Sequence, residues 1–113
     1  MADRFRPSLP GVVGATLHIL LLANTVRLIL GSAGADWTRH WVWFLALDFP
    51  VSLGVMPVTW LVPPAAGGPL ADVSNFWWPL LYHGLVGTAW WYIVAGAVVR
   101  RFRRTEAEVE PPA

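Results

Sequence analysis

The chain has 113 residues, of which 56% are hydrophobic and 13% are charged, a composition far more apolar than that of an average soluble domain. It contains no cysteine, which excludes disulfides, thiolate catalysis and cysteine metal sites in this chain. Its formal net charge of +1 is too small to indicate a nucleic-acid partner.

Three apolar segments are each about as long as the ~20 residues that cross a bilayer. They cover residues 9–30, 41–62 and 76–99. A soluble protein with three buried helices is the alternative, but a soluble helix of this length normally has a charged face. The sequence therefore predicts one all-α transmembrane domain over residues 1–113, with three helices, short connections and a flexible acidic tail at 105–113.

The start of the chain imitates a signal peptide, because Arg4 and Arg6 precede the first apolar segment and the residues 33–35, Ala-Gly-Ala, follow it. The segment is longer than the apolar region of a signal peptide and contains His18 and Asn24. We therefore expect it to remain in the protein as a span.

The arginines predict an orientation. With three spans, the N-terminal tail and the second connection share one side and carry Arg4 and Arg6. The first connection and the C-terminal tail share the other side and carry five arginines. Basic residues are enriched on the cytoplasmic side. The expected placement is the bacterial inner membrane, with the N-terminus outside and the C-terminus in the cytoplasm.

The first predicted helix has two polar faces. One face carries Gly11, Gly14, His18 and Thr25, and the opposite face carries Asn24 and Arg27. Small residues allow helices to approach closely. Two further helices cannot readily cover both faces, which favours a protein partner. Arg27 could also extend to the membrane surface.

The second predicted helix carries Asp48 with two prolines, Pro50 and Pro57, which remove backbone hydrogen bonds and should bend it. Counting ~1.5 Å per residue from the helix ends places Asp48 level with Asn24 and near Arg27. We expect a polar clasp, defined as a contact of Asp48 with Arg27 or Asn24 inside the membrane. Proton transfer through Asp48 is the alternative, because burial disfavours a charged carboxylate.

The third predicted helix places Pro79, His83, Gly87, Trp90 and Val94 on one stripe. In a three-span protein the first and third helices are parallel, which puts His18 and His83 at similar depth. They could ligate one haem iron or hold chlorophyll-type pigments, with Gly87 leaving space and Trp90 stacking on the group. A buried histidine bonded to a serine, a threonine or a carbonyl is the alternative.

A second face of that helix carries Gly84, Thr88 and Trp91. Its small residues are suited to close helix packing, and we expect it to contact a partner subunit. Eight tryptophans also predict two aromatic belts at the membrane surfaces. One belt would hold Trp37, Trp41 and Trp43, and the other Trp60, Trp77 and Trp78.

Two short strings, Ala-Leu-Asp-Phe-Pro-Val-Ser at 46–52 and Gly-Thr-Ala-Trp-Trp-Tyr at 87–92, resemble those of small bacterial multi-span membrane proteins. The resemblance implies a membrane protein and no particular activity.

Catalytic motifs such as a P-loop or a nucleophile elbow are absent from the sequence, so we do not expect an enzyme. The sequence favours an accessory or scaffold subunit of a larger membrane complex, plausibly a respiratory or photosynthetic one, or a homo-oligomer in the lipid bilayer. The alternative function is a haem- or pigment-binding redox protein that uses His18 and His83.

Overall fold

The computed structural model describes residues 7–31, 38–61 and 68–109, and the secondary structure in these ranges is helical with no strand. This confirms the predicted all-α class. The first part consists of α1 (Leu9–Gly31), α2 (Thr38–Leu47), a 3₁₀ segment (Val51–Val55) and α3 (Met56–Leu61).

The remaining described residues, 68–109, form one uninterrupted helical run that we call the third helix. It contains α4 (Gly68–Asp72), a π-helical turn (Val73–Trp77), α5 (Trp78–Tyr82), a second π-helical turn (His83–Gly87) and α6 (Thr88–Val109). Gly68 starts it with a φ of +71°, a conformation that glycine adopts without steric cost. Residues 105–109 of the predicted flexible tail continue α6 and are exposed, and residues 110–113 lie outside the described ranges.

α1 and the third helix pack closely and run antiparallel. The Ser8 amide donates to the Tyr92 hydroxyl at 2.9 Å, and His18 bonds to Thr88 farther along. A Cβ atom on Gly14 would lie only 2.7 Å from Cβ of Ala95, so glycine is needed for this approach. We call the end of the bundle near Ser8 the terminal end and the opposite end the connection end.

The second apolar segment does not form the single span predicted at 41–62. It forms a helical hairpin over residues 38–61. α2 runs alongside the third helix until Asp48, the chain turns at residues 48–50, and the 3₁₀ segment with α3 returns toward the connection end. The Trp41 indole N–H donates to the Asn75 carbonyl at 2.8 Å on the outward arm, and the Trp78 indole N–H donates to the Val55 carbonyl at 3.0 Å on the return arm.

The turn of the hairpin follows from Pro50, which cannot donate a backbone hydrogen bond. The Phe49 amide bonds to the Ala46 carbonyl instead. Side chains satisfy further carbonyls, because the Ser52 hydroxyl donates to Leu45 at 2.7 Å and the Tyr82 hydroxyl donates to Val51 at 2.6 Å. The hairpin is therefore held by specific hydrogen bonds as well as by apolar packing.

The π-helical turns change which residues of the third helix share a face. A π-helical turn uses i→i+5 bonds and so accommodates an additional residue. The predicted stripe matches the structure at Pro79, His83 and Gly87, which are buried. Beyond the second π turn, Trp91 takes the inward position predicted for Trp90.

One described α-helix, Leu9–Gly31, is long and apolar enough to cross a membrane, a property that some core helices of soluble proteins and signal sequences share. Each arm of the hairpin is too short to cross a membrane. The two π-helical turns divide the third helix into shorter α-helical stretches. Many large apolar side chains on the outside are exposed, including Leu20, Leu30, Trp60 and Leu85. The core contains Leu22, Ile29, Trp41, Phe44 and Phe76.

Candidate functional site: a buried His–Asp–His cluster

Asp48, at the tip of the hairpin, is bonded to two histidines from the two helices that flank it. Its Oδ1 atom lies 2.9 Å from Nε2 of His18, and its Oδ2 atom lies 2.5 Å from Nδ1 of His83. The exposed fractions of His18, Asp48 and His83 are 2%, 0% and 1%. These three residues, which we call the His–Asp–His cluster, join all three helical parts of the fold.

The hydrogen bonds indicate which atoms of the cluster carry protons when Asp48 is ionised. An ionised carboxylate only accepts, so each histidine donates a ring N–H to Asp48. Oδ1 also accepts from the Trp91 indole N–H at 3.1 Å. The other ring nitrogen of His18 lies 3.0 Å from the Thr88 hydroxyl. With both rings neutral the cluster carries one negative charge, and one additional proton on either ring makes it neutral.

Gly87 makes room for the cluster. A Cβ atom at Gly87 would lie 2.9 Å from Cγ of Asp48 and 2.9 Å from Cε1 of His18. Such separations are shorter than real Cβ contacts, so an alanine would displace the carboxylate or the ring. The sequence predicted space beside His83 for a cofactor, and in the structure the side chain of Asp48 occupies it.

Aromatic rings shield the cluster. The ring of Trp41 stacks on His83 with centroids 6.0 Å apart and an angle of 10° between the planes. Phe44 lies between the histidines, 5.5 Å from the ring of His18 and 5.3 Å from that of His83. These rings lower the local dielectric around the cluster, which strengthens hydrogen bonds that are satisfied.

The predicted partners of Asp48 need correction. Arg27 donates to the Asn24 side chain, at 3.0 Å from Nη2, and both residues are exposed on α1. Counting residues from the helix ends placed Asn24 and Arg27 near the depth of Asp48 in the membrane. In the structure, however, they lie on the opposite face of α1 from His18. The hairpin approaches the His18 face, so Asp48 contacts the histidines.

His18 and His83 do not fit as the two axial ligands of one haem. Asp48 lies between the rings, and both nitrogens of His18 are within hydrogen-bond distance of other side chains. Trp90, assigned to the same site, is on a different face from Trp91, which donates to Asp48. Within the described ranges, no group of three or more His, Cys, Asp or Glu side chains is arranged so that it could hold a metal ion. Of the four ring nitrogens of this pair, Nε2 of His83 has no hydrogen-bond partner among the residues that the structure describes.

The face predicted for a partner subunit is turned inward. Thr88 and Trp91 bond to the His–Asp–His cluster, and a Cβ atom on Gly84 would make an ordinary contact with Leu22 of α1 at 3.5 Å. The antiparallel arrangement explains the difference, because α1 covers the side of the third helix that a parallel arrangement would leave for a neighbour.

Two cavities adjoin the cluster on different sides. An apolar groove of about 670 Å³ lies between α1 and the third helix and includes His18, Leu17 and Val94. A smaller cavity of about 190 Å³ lies between the hairpin and the third helix and includes His83 and Ser74. Ser74 was not predicted as a site residue, because it lies just before the predicted third segment at 76–99.

Comparison of the chain with protein-family models, with curated proteins and with solved structures finds no match. The site is therefore interpreted from its own geometry.

Proposed function

We propose that the chain is an integral membrane protein in which α1 and the third helix cross the bilayer and residues 38–61 form a re-entrant hairpin between them. α1 has the length and composition of a span. In the third helix, residues 73–99 contain no Asp, Glu, Lys or Arg, and this stretch exceeds the ~20 residues that a span requires.

The hairpin is compatible with a position inside the membrane. Non-helical backbone is tolerated at that depth where protein buries it. Here Asp48 is fully buried, and the carbonyls of Val51 and Val55 are bonded to side chains of the third helix. The 3₁₀ segment and α3 are also apolar.

This arrangement implies an orientation different from the three-span prediction. Both tails start from the terminal end, where Arg4, Arg6 and the four arginines of residues 100–104 would gather, whereas Arg39 is at the connection end. The positive-inside bias then places both termini in the cytoplasm. Trp43, Trp60 and Trp77, which are exposed, would form one aromatic belt at the connection end in place of two.

The function that this geometry supports best is proton relay within a larger membrane assembly. The observation that carries the proposal is the unbroken hydrogen-bonded path from His83 through Asp48 to His18. Histidine changes its charge near physiological pH more readily than other side chains. When the cluster holds one additional proton, on Nδ1 of His18, a proton taken up at Nε2 of His83 can be matched by loss of that Nδ1 proton toward Thr88 without rearrangement of the helices.

The proposal that this chain is a subunit of a larger assembly has a chemical basis. A relay receives protons from one group and delivers them to another, and the sequence offers no recognised catalytic motif that would generate or use them. His18 faces the apolar groove and His83 faces the smaller cavity. Each end of the relay thus lies beside a space that a second component can reach.

Nitrogen NMR of the histidines tests the relay. The chain has three histidines, and the one outside the cluster, His40, serves as an internal reference. Protein labelled with ¹⁵N at histidine would be measured in lipid nanodiscs between about pH 5 and 8. We expect the His18 and His83 signals to change together across this series, and Asp48→Asn to make them change independently. If both rings keep one fixed tautomer over this range, the cluster is structural and the relay is rejected.

A further inference from the structure

Two buried polar atoms of the third helix have no hydrogen-bond partner among the described residues. They are the hydroxyl of Ser74 and Nε2 of His83. Each residue is 1% exposed, and both line the cavity of about 190 Å³ between the hairpin and the third helix. Buried polar groups are nearly always paired in native proteins, so these two atoms indicate that the cavity holds polar molecules.

The cavity suits water in its size and in its lining. A water molecule takes about 30 Å³ in the liquid and needs two to four polar partners, so this volume admits several waters that also bond to one another. The lining includes Asn75 and Thr59 as well as Ser74 and His83. The Asn75 side chain both donates and accepts, and the Thr59 hydroxyl, which donates to the Met56 carbonyl, still accepts.

The polar lining leads from the connection end to the cluster. Thr59 lies close to the end of α3 at Leu61, and both Thr59 and Asn75 are partly exposed, whereas Ser74 and His83 are buried. Nδ1 of His83 donates to Asp48, so Nε2 of the neutral ring carries a lone pair and accepts. Among the described residues that line the cavity, His83 is the one titratable group.

The apolar groove on the other side of the cluster differs in this respect. Of its described lining residues, His18 and Trp91 are those with polar side-chain atoms, and these atoms bond to Asp48 and Thr88. Apolar cavities without free polar partners stay dry. The two histidines of the cluster therefore differ in their access to water.

We propose that the smaller cavity is a water-filled port through which protons from the connection end reach Nε2 of His83. In this step the Nε2 lone pair forms an N–H bond, while an O–H bond of a hydronium ion breaks and leaves a neutral water. The port deepens the proposed function, on which it rests, by placing exchange with water at the His83 end of the relay.

Water-edited nitrogen NMR tests the port, because it measures how fast magnetisation passes from water protons to nearby ¹⁵N-labelled histidines. In lipid nanodiscs and at short mixing times, we expect faster transfer to His83 than to His18, with the partly exposed His40 as the positive control. The comparison is made within the wild-type protein, so it needs no variant that folds. Equal rates for His83 and His18 would overturn the port.

Ser74→Val and Ser74→Thr are the matched variants, because the two new side chains have nearly the same shape and only threonine keeps a hydroxyl. Removal of one hydrogen-bond partner should lower the occupancy of the waters, so Ser74→Val should slow transfer to His83 severalfold relative to Ser74→Thr. Equal rates in the two variants would contradict the part assigned to this hydroxyl.

The mouth of the port is tested by blocking it, since the native chain contains no cysteine. Modification of Thr59→Cys with a small maleimide should slow water transfer to His83, whereas modification of Leu17→Cys, in the apolar groove, should not. Unchanged transfer after the first modification would exclude a mouth at Thr59. A dry His83 that still changes together with His18 overturns the port and leaves the relay, whereas fixed tautomers in both rings reject the relay whatever the water contact.

Discussion

Asp48 occupies the space that a side chain at Gly87 would fill. An ideal Cβ atom at Gly87 would lie 2.9 Å from Cγ of Asp48, so the third helix admits the carboxylate only because this position is glycine. The second π-helical turn ends at this same residue. The backbone of the third helix and the tip of the hairpin are thus fitted to each other at one point.

Gly87→Ala is therefore expected to destabilise the protein by about 1–3 kcal/mol, the usual cost of forcing extra volume into a packed site. Gly84→Ala is the matched control on the same helix, because its Cβ would meet Leu22 at an ordinary 3.5 Å and alanine is the better helix former. Unfolding in mixed detergent, followed by circular dichroism, compares the two. Equal stability of the two variants would contradict the close fit.

A disulfide between the first and third helices should report their antiparallel arrangement. The native chain contains no cysteine, so no background pairing occurs. A Cβ atom on Gly96 would lie 3.9 Å from Cβ of Ser8, within the range for disulfides. We expect Ser8→Cys with Gly96→Cys to crosslink in nearly all molecules after mild oxidation, as measured by mass spectrometry.

The control pair for that experiment is Ser8→Cys with Trp77→Cys. Residue 77 is the position that a parallel third helix would bring level with residue 8, and Trp77 is exposed in the structure. Crosslinking of this pair in place of the first would show that the helices are parallel.

The proposed re-entrant placement of the hairpin makes a prediction about topology. Reporter domains fused before Met1 and after Ala113 should both be active in the cytoplasm, and a reporter inserted within residues 62–67 should be active outside it. The physical reason is the gathering of arginines at the terminal end. A three-span protein would give opposite results for the two terminal fusions, which is the outcome that contradicts the hairpin.

Removal of a single hydroxyl should loosen the hairpin. Tyr82→Phe deletes the 2.6 Å bond to the Val51 carbonyl. We expect a loss of about 1 kcal/mol of unfolding free energy, in the range for polar contacts in membrane proteins. Thr105→Ala removes a hydroxyl that bonds to Arg101 on the exposed end of α6 and should cost almost nothing. A cost for Tyr82→Phe no larger than that of the control would show that this bond does not hold the hairpin.

The local patterns predicted the helical class and the buried face of α1. Gly11, Gly14 and His18 are buried as a 3.6-residue period requires, because that period depends only on neighbouring residues. The same reasoning identified Asp48, His83 and Gly87 as unusual polar or small residues in apolar segments.

The side chains that contact those residues could not be predicted from the local sequence pattern. Assigning Asp48 to Arg27 assumed that residues 41–62 run straight, and the turn at Pro50 removes that assumption. Assigning Trp90 to the site assumed a regular third helix, and the π turn at 83–87 shifts the register to Trp91. Both errors come from backbone irregularities, whose consequences depend on contacts distant in sequence.

The position of Asp48 between His18 and His83 has a consequence for how the chain is made. When ribosomal synthesis has produced the hairpin, the carboxylate already has His18 available, but its second imidazole lies 35 residues farther along. A carboxylate inside lipid without its full set of donors is costly, so the hairpin tip has reason to remain near the membrane surface until the third helix has emerged. The third helix would then complete the burial of a turn that precedes it, and truncation before His83 should leave that turn accessible to water.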